Sequence, residues 1–484
     1  METVTATGAA VNEHRGLIDD IEDFCRRHGM AETTFGKQVV NDGKFVGRLR
    51  EGRRVTTVTV SRVRRYLVEH GADSPMRRGR LLARPMVAQA ADGAAAPGAS
   101  ARDAADDSKD GKTAFRFYDN RQKYLMFVNT CSEKWVVADR VGMELAQLHP
   151  VPPALKVFDA GMGDGTVLTG VMRQMHQRFR TVPFYIVGKE ISLEDVRLSL
   201  EKMSDRFFEH PATVLIVTNM YYTEAPSLTP RTLQGAAALD WIEAPLAGTT
   251  SAEFHEQITA LQPKLAEAWR MRSSSKTGNP LYVRPSVLVL YRDDHKFLLD
   301  QIIPKPGRGI SSYDLVIASQ PYRARMPVEF KAQKVLAPLV RALAPGGRLI
   351  GIHSCGRDPG LEIIRRVWPG ENPFQTNRHS LLNALKREIG RSMRDLNYNA
   401  YADNRAIFRY DMHTLPSEIG SESIGTSTLL AAWNAAIYVS QIEDERLESV
   451  IADGSYLEAT RDVLREFGGL WFYDESYVVS RRRA

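Results

Sequence analysis

The sequence predicts an α/β fold, a parallel sheet with helices on both faces, preceded by a small all-α unit. Three observations predict it. From about residue 114 onward, short β-branched runs alternate with helical stretches. Before that, residues 15–72 carry apolar side chains at helical spacing, punctuated by glycine. Between the two, residues 73–113 are dominated by Ala, Gly, Asp and Ser, and cannot bury enough apolar surface to offset their ordering entropy. We expect that tract to be a flexible tether. A length of 484 residues asks for two or three units, and 43% apolar residues suffice for a large core.

The elements follow in chain order. Leu17, Ile18, Ile21 and Phe24 predict a first helix ended by Gly29. Ala31–Val40 predicts a second helix, Asn41-Asp42-Gly43 a turn, and Lys44–Gly52 a third helix. Val60–His70, with Val63, Tyr66 and Leu67 on one face, predicts a fourth. After the tether, helices are expected around Tyr118–Leu148. Strands are expected at Leu155–Asp159, Phe184–Val187, Thr213–Thr218, Leu315–Ala318 and Arg348–Ile352. Two inserts, about 224–283 and 369–404, interrupt the alternation, and Trp471–Ser480 reads as a last strand. The first insert, with Trp241, Trp269 and a basic end from Arg270 to Lys276, is expected to cover the site; its aromatic and basic residues would suit a nucleotide, and a solvated helical cap is the commoner explanation.

Composition removes several function classes. No run of about 18 apolar residues occurs, so no membrane-spanning helix is expected. The N-terminus lacks the basic-then-apolar order of a secretory signal. Cys25, Cys131 and Cys355 are far apart and form no CxxC pair, which favours the reducing cytoplasm over a zinc site or disulfides, and no metal is expected. The net charge is +6, and residues 1–84 carry +5 of it. Any polyanionic partner should therefore meet the first sixth of the chain.

The strand ending in Val157-Phe158 runs into Asp159, Gly161, Gly163 and Gly165. Glycines let the backbone turn sharply and let a ligand approach main-chain N–H groups, and an acidic strand end can hold a cationic amine. Nicotinamide and flavin sites also use glycine-rich turns. Here the third GxGxxG position falls on Thr166, and Asp159 would repel a pyrophosphate. In this segment the chain resembles class I S-adenosylmethionine (SAM)-dependent methyltransferases, whose first motif is an acidic residue followed by xGxGxG. The resemblance implies a Rossmann-like sheet and SAM as cofactor, with Asp159, Gly161, Gly163, Asp164 and Gly165 around the methionine moiety. It implies Glu190, after the second strand, on the ribose hydroxyls, and Asn219, after the third, near the adenine. Tyr313–Tyr322 resembles the family's fourth motif, and Leu343–Gly351 the turn and strand that follow it. The resemblance spans about residues 118–370 and the last strand.

Ser319-Gln320-Pro321-Tyr322 partly resembles the tetrapeptides of amino-group methyltransferases, in which a polar side chain and a carbonyl aim an amine and the aromatic ring stacks on a planar acceptor. The alternative is a proline-terminated strand end with Tyr322 packed inside. No cysteine adjoins the proline, so cytosine C5 chemistry is set aside. His353, at a strand C-terminus, is a candidate general base or a hydrogen-bonded core histidine. Cys355 reads as a small buried residue. Methyl transfer from a sulfonium is an in-line displacement, so positioning can suffice without a base.

The first four helices resemble phage-repressor helix-turn-helix domains. That implies DNA as a partner, with Lys44, Arg48, Arg50, Arg53 and Arg54 at or just after the recognition helix, Thr33, Thr34 and Lys37 near the backbone, and compatibility with a homodimer. From Lys37 to Arg80 there are 12 basic and 4 acidic residues. The whole chain then reads as a SAM-dependent N-methyltransferase with a tethered DNA-binding module, DNA being one candidate substrate. Two alternatives stay open: a small-molecule or protein methyltransferase whose N-terminal unit only localises or regulates it, and a non-enzymatic SAM-sensing regulator.

Overall fold

The computed structural model describes residues 8–40, 42–50, 59–60, 62–63, 66–67, 121–274, 280–414, 416–419 and 423–483. The chain divides into two compact units, Met1–Asp106 and Asp107–Ala484. The expected tether, 73–113, lies outside the described residues, as do Arg53 and Arg54.

In the first unit, helices span Gly8–Arg27, Glu32–Val40 and Phe45–Arg50. Helical backbone recurs at residues 59–60, 62–63 and 66–67, from one residue before the expected fourth helix into it. Leu17, Ile21, Phe24, Phe35, Phe45, Leu49 and Val63 meet in one buried core, with Tyr66 packed edge-on against Phe24 and Phe35. Gly29, at φ 60°, follows the first helix where a left-handed residue stops it.

The second unit is built on a ten-stranded sheet in the order β10-β12-β9-β8-β1-β2-β3-β7-β4, with β11 also pairing with β12. Its strands are β1 Leu155–Asp159, β2 Phe184–Lys189, β3 Thr213–Thr218, β4 Asp240–Leu246, β7 Ser286–Arg292, β8 Tyr313–Ser319, β9 Leu343–Ser354, β10 Leu396–Asn399, β11 Ile407–Asp411 and β12 Trp471–Arg481. Two more, β5 Met271–Ser273 and β6 Pro280–Tyr282, form a separate hairpin. The central five, β3-β2-β1-β8-β9, are parallel throughout. Their strand order reverses between β1 and β8, and in open α/β sheets ligands bind at such a switch point, outside the strands' carboxyl ends.

Alternate residues of each central strand feed two cores. Phe158, Tyr185, Val187, Val316 and Leu349 face one side; Val157, Ile186, Leu215, Ile317 and Ile350 face the other. Both faces are covered, so these strands read as nearly continuous apolar runs. A third cluster, around Trp433, Tyr410 and Phe472, gathers the helices Thr426–Val439, Asp444–Asp453 and Ser455–Phe467.

The first insert departs from the expected cap. Its residues include β4, which joins the main sheet through β7, and β7 runs antiparallel to β3. Ser286–Arg292 is a fully buried apolar run, and pairing with β3 satisfies the backbone groups such a run cannot leave bare. The insert therefore widens the sheet, and the sheet is mixed at both flanks. No described helix is long and apolar enough to cross a membrane.

Candidate cofactor and active site

The switch point holds a cavity lined by Lys134, Asp159, Gly161, Gly163, Asp164 and Ser319, among others. Gly163 and Gly165 have φ values of 53° and 77°, a conformation that glycine adopts without penalty. A Cβ on Gly165 would lie 2.9 Å from Ser199 Cα, so the helix Leu193–Glu201 is packed against bare backbone. Gly165 then starts the helix Thr166–Arg178. At Gly161 an added Cβ would meet nothing nearer than the Ser319 carbonyl at 4.0 Å, which leaves open space above the turn.

The cavity has a negative and a positive pole. Asp159 is 2% exposed and accepts from the Gly161 N–H at 3.1 Å. Burial pushes its carboxyl up to about 7, with Glu190 adding to the rise while the Gly161 N–H and Lys134 oppose it. Lys134 sits on the helix Glu133–Leu145, its ammonium 3.1 Å from Glu133 and 5.5 Å from the centre of the Tyr124 ring. Burial disfavours that ammonium, but Glu133, Tyr438 and Asp164 outweigh it and raise its pKa. Among the cavity-lining residues named above, Lys134 is the cation, and it belongs to no local motif.

The other expected cofactor residues are engaged by the protein itself. Asp164 accepts from Tyr124, Thr166 and Lys202. Burial alone would raise its carboxyl; Lys134, Lys202 and Thr166 hold it below its ordinary value. Glu190 accepts from Gly163 N at 2.9 Å and from Ile191 N and Ser192 N at 2.8 and 2.9 Å, tying the glycine turn to the end of β2. The Asn219 amide donates to the Ala268 and Arg284 carbonyls and accepts from Ser286 N, so it joins β3 to the insert and β7. Trp269, 2% exposed, donates to the Glu190 carbonyl at 2.9 Å.

The Ser319–Tyr322 segment is mostly turned inward. Ser319 lines the cavity. Gln320, at φ 46°, donates to Ser354 Oγ at 3.0 Å and to Asp474 at 3.3 Å. Asp474 is fully buried, and burial, then the charge of Glu133, pushes its carboxyl well above the ordinary range. The Pro321 carbonyl accepts from the Tyr222 hydroxyl at 3.0 Å. Tyr322 does not offer its ring to an acceptor: it lies in the core, its hydroxyl 2.6 Å from His353 Nδ1 and 3.1 Å from the Tyr477 hydroxyl.

His353 is likewise enclosed, at 5% exposure, with Nε2 2.7 Å from Glu475 Oε1. A carboxylate at Nε2 selects the tautomer that donates there, leaving Nδ1 to accept from Tyr322. Glu475 also accepts from Arg378 N and Nη1, both at 2.7 Å, and despite its burial these partners hold it down to about 2. His353, on β9, therefore links Tyr322, three residues past β8, to Glu475 on β12, and it is not among the residues lining the cavity. Cys355 is only partly buried, against the expectation, because the chain leaves β9 there and enters a cavity wall.

In the first unit, Arg48 pairs with Asp42, and Arg50 pairs with Glu22 at 2.6 Å and Glu32 at 2.5 Å. Lys44 is described through its backbone N–H, which donates to Asp42.

No family model matches the chain, and no curated protein matches it. Solved structures do. A Galdieria sulphuraria protein described as a sarcosine dimethylglycine methyltransferase is similar at 9% identity and TM-score 0.30, covering 72% of this chain and 85% of that one. Phosphoethanolamine N-methyltransferase 2 of Haemonchus contortus, in complex with SAM, is similar at 10% and 0.27, over 77% and 61%. An rRNA methyltransferase of Streptomyces viridochromogenes is similar at 11% and 0.18, over 49% and 85%. Similarities this weak decide neither cofactor nor reaction, which rest on the site itself.

Proposed function

We propose that the chain is a SAM-dependent methyltransferase. One observation carries this reading: the cavity at the β1/β8 switch point pairs a buried carboxylate, Asp159, with a partly buried ammonium, Lys134, beside a bare glycine turn. Those two poles match the ammonium and carboxylate of an amino acid, and a pyrophosphate would be repelled by Asp159. In this reading Asp159 and Lys134 hold the methionine end of SAM, the turn at Gly161 and Gly163 gives it room, and Glu190, which accepts from the Gly163 N–H, is assigned to the ribose. SAM supplies a methyl group already activated on a sulfonium. The chain's task is then to bind, to exclude water and to align the acceptor.

The inward bonding of Gln320, Pro321 and Tyr322 favours a small acceptor over a flipped base stacked on Tyr322. We read the N-terminal unit as a separate module for DNA or another polyanion, on its charge between Lys37 and Arg80. The test is calorimetry with SAM together with transfer of a tritiated methyl group to fractionated small molecules. SAM binding with labelled product is expected. Binding without label in any fraction would leave a sensor, and absence of binding would refute the reading.

A further inference from the structure

Past β9 lies a second cavity, of about 380 Å3, lined by Cys355, Arg357, Arg365, Asn377, Arg378 and Glu475, among others. Its fixed charges are unbalanced. The carboxylates in its wall, Glu475 and Asp403, are both bound to Arg378, which also donates to the Ala400 and Tyr401 carbonyls. Four of the five donors of the Arg378 guanidinium are thereby engaged. Among the described residues Arg365 makes one hydrogen bond, from Nε to the Glu371 carbonyl at 3.3 Å, with its other donors unengaged there. The Arg357 guanidinium has no hydrogen bond or ion pair among the described residues.

The backbone places Arg357 at some expense. Gly356 and Arg357 have φ values of 68° and 66°, and the second is not a glycine. A Cβ on Gly356 would come within 2.7 Å of Phe374 and 2.9 Å of Leu361. A non-glycine residue held in the left-handed region is uncommon and marks a position fixed by its surroundings. The turn sets Arg357 on the cavity just before Asp358 caps the helix Pro359–Val367.

One hydrogen bond and one peptide step link residues of the two cavities. Gln320 lines the first cavity and donates to Ser354, and the next residue, Cys355, lines the second. We propose that the second cavity binds the anionic group of a small acceptor, a carboxylate or a phosphate, through Arg357 and Arg365. The rest of that acceptor reaches past Gln320 toward the methyl donor. The assignment of an acceptor rests on the methyltransferase reading; the anion site does not.

The test is calorimetry on the full chain with three probes: succinate, inorganic phosphate and a short DNA duplex. An Arg357→Gln/Arg365→Gln double variant is compared with the unaltered chain, and SAM binding is measured separately on both. Both arginines are exposed, so folding is retained and melting temperature checks it. Binding of succinate or phosphate in the millimolar range, weakened about tenfold or more in the variant with SAM affinity unchanged, supports the proposal, and the stronger probe identifies the group. Failure of both small anions to bind, equal binding by the variant, or dependence on these arginines for the duplex alone overturns it. Loss of SAM binding in the unaltered chain would refute the methyltransferase reading instead, and leave the anion result standing.

Discussion

Lowering the pH from 8 to 5.5 should weaken SAM binding about thirtyfold, through Asp159. Its carboxyl sits at about 7 because burial disfavours the charge. The SAM ammonium requires the ionised form, which falls to about 3% at pH 5.5. Lys134 stays charged across this range, since its acidic neighbours raise it. The same shift has a sign in stability. The folded chain holds this proton more tightly than the unfolded chain, so ionisation destabilises the fold as pH rises from about 4 toward 7, by about 4 kcal/mol at most. A bound ammonium offsets that loss, so the rise in melting temperature caused by SAM should grow with pH. Titration calorimetry in two buffers of different ionisation enthalpy counts the proton released on binding. Asp159→Asn should bind weakly and without pH dependence. A dissociation constant constant within about twofold from pH 5.5 to 8, or a pH dependence retained in Asp159→Asn, would refute the assignment.

Further expectations follow from the same structure. Gly165→Ala puts a Cβ 2.9 Å from Ser199 Cα at a φ of 77°, and should lower stability by about 1–3 kcal/mol in denaturant titrations together with a loss of SAM affinity. Lys134→Gln leaves Glu133 and Asp164 without their shared cation, and should weaken SAM at least tenfold while lowering the unfolding midpoint; unchanged affinity would remove Lys134 from the site. Tyr322→Phe removes a hydroxyl bonded to His353 and Tyr477, and should lower stability by about 1–2 kcal/mol with SAM affinity kept within about twofold; a selective loss of turnover at full stability would instead place Tyr322 against the acceptor. Arg378→Met removes the guanidinium from the buried Glu475 Oε2, leaving only the Oε1 bonds to His353 and the residue-378 N–H, and should destabilise by about 3–5 kcal/mol.

The strands of the central sheet were readable because each is short, apolar and β-branched. Leu155–Asp159 and Thr213–Thr218 end where the alternation says they end. β4 was not readable: Asp240–Leu246 carries Pro245 and two acidic residues, composition tolerated at a sheet edge and indistinguishable there from a loop. β7 is apolar enough to be a strand, but its antiparallel pairing with β3 depends on an insert of unknown path. Within the site, Asp159 and the glycines announce themselves by local spacing. Lys134 does not, since it reaches the turn from a helix that precedes β1 and carries no pattern. Asn219 and Tyr322 resemble motif positions by residue type, and Gln320 lies within a partly matching motif, yet their polar atoms bond to Ser286, Tyr477 and Asp474. Those partners lie 67 to 155 positions away along the chain, so local spacing carries no trace of them.

The place of β12 has a consequence for how the molecule comes to exist. β12 lies between β9 and β10 and also carries β11, so its neighbours on both sides are made before it. During synthesis the outer edge of β9 stays unpaired until residues 471–481 leave the ribosome. Asp474, Glu475 and Tyr477 arrive with them, and without these residues Gln320, His353 and Tyr322 each lack a partner. Such long-range closure is slow and exposes a strand edge while it waits. The site is thus completed about 150 to 310 residues after its motifs are translated, and a nascent chain stalled before Trp471 would carry the glycine turn without a finished site around it.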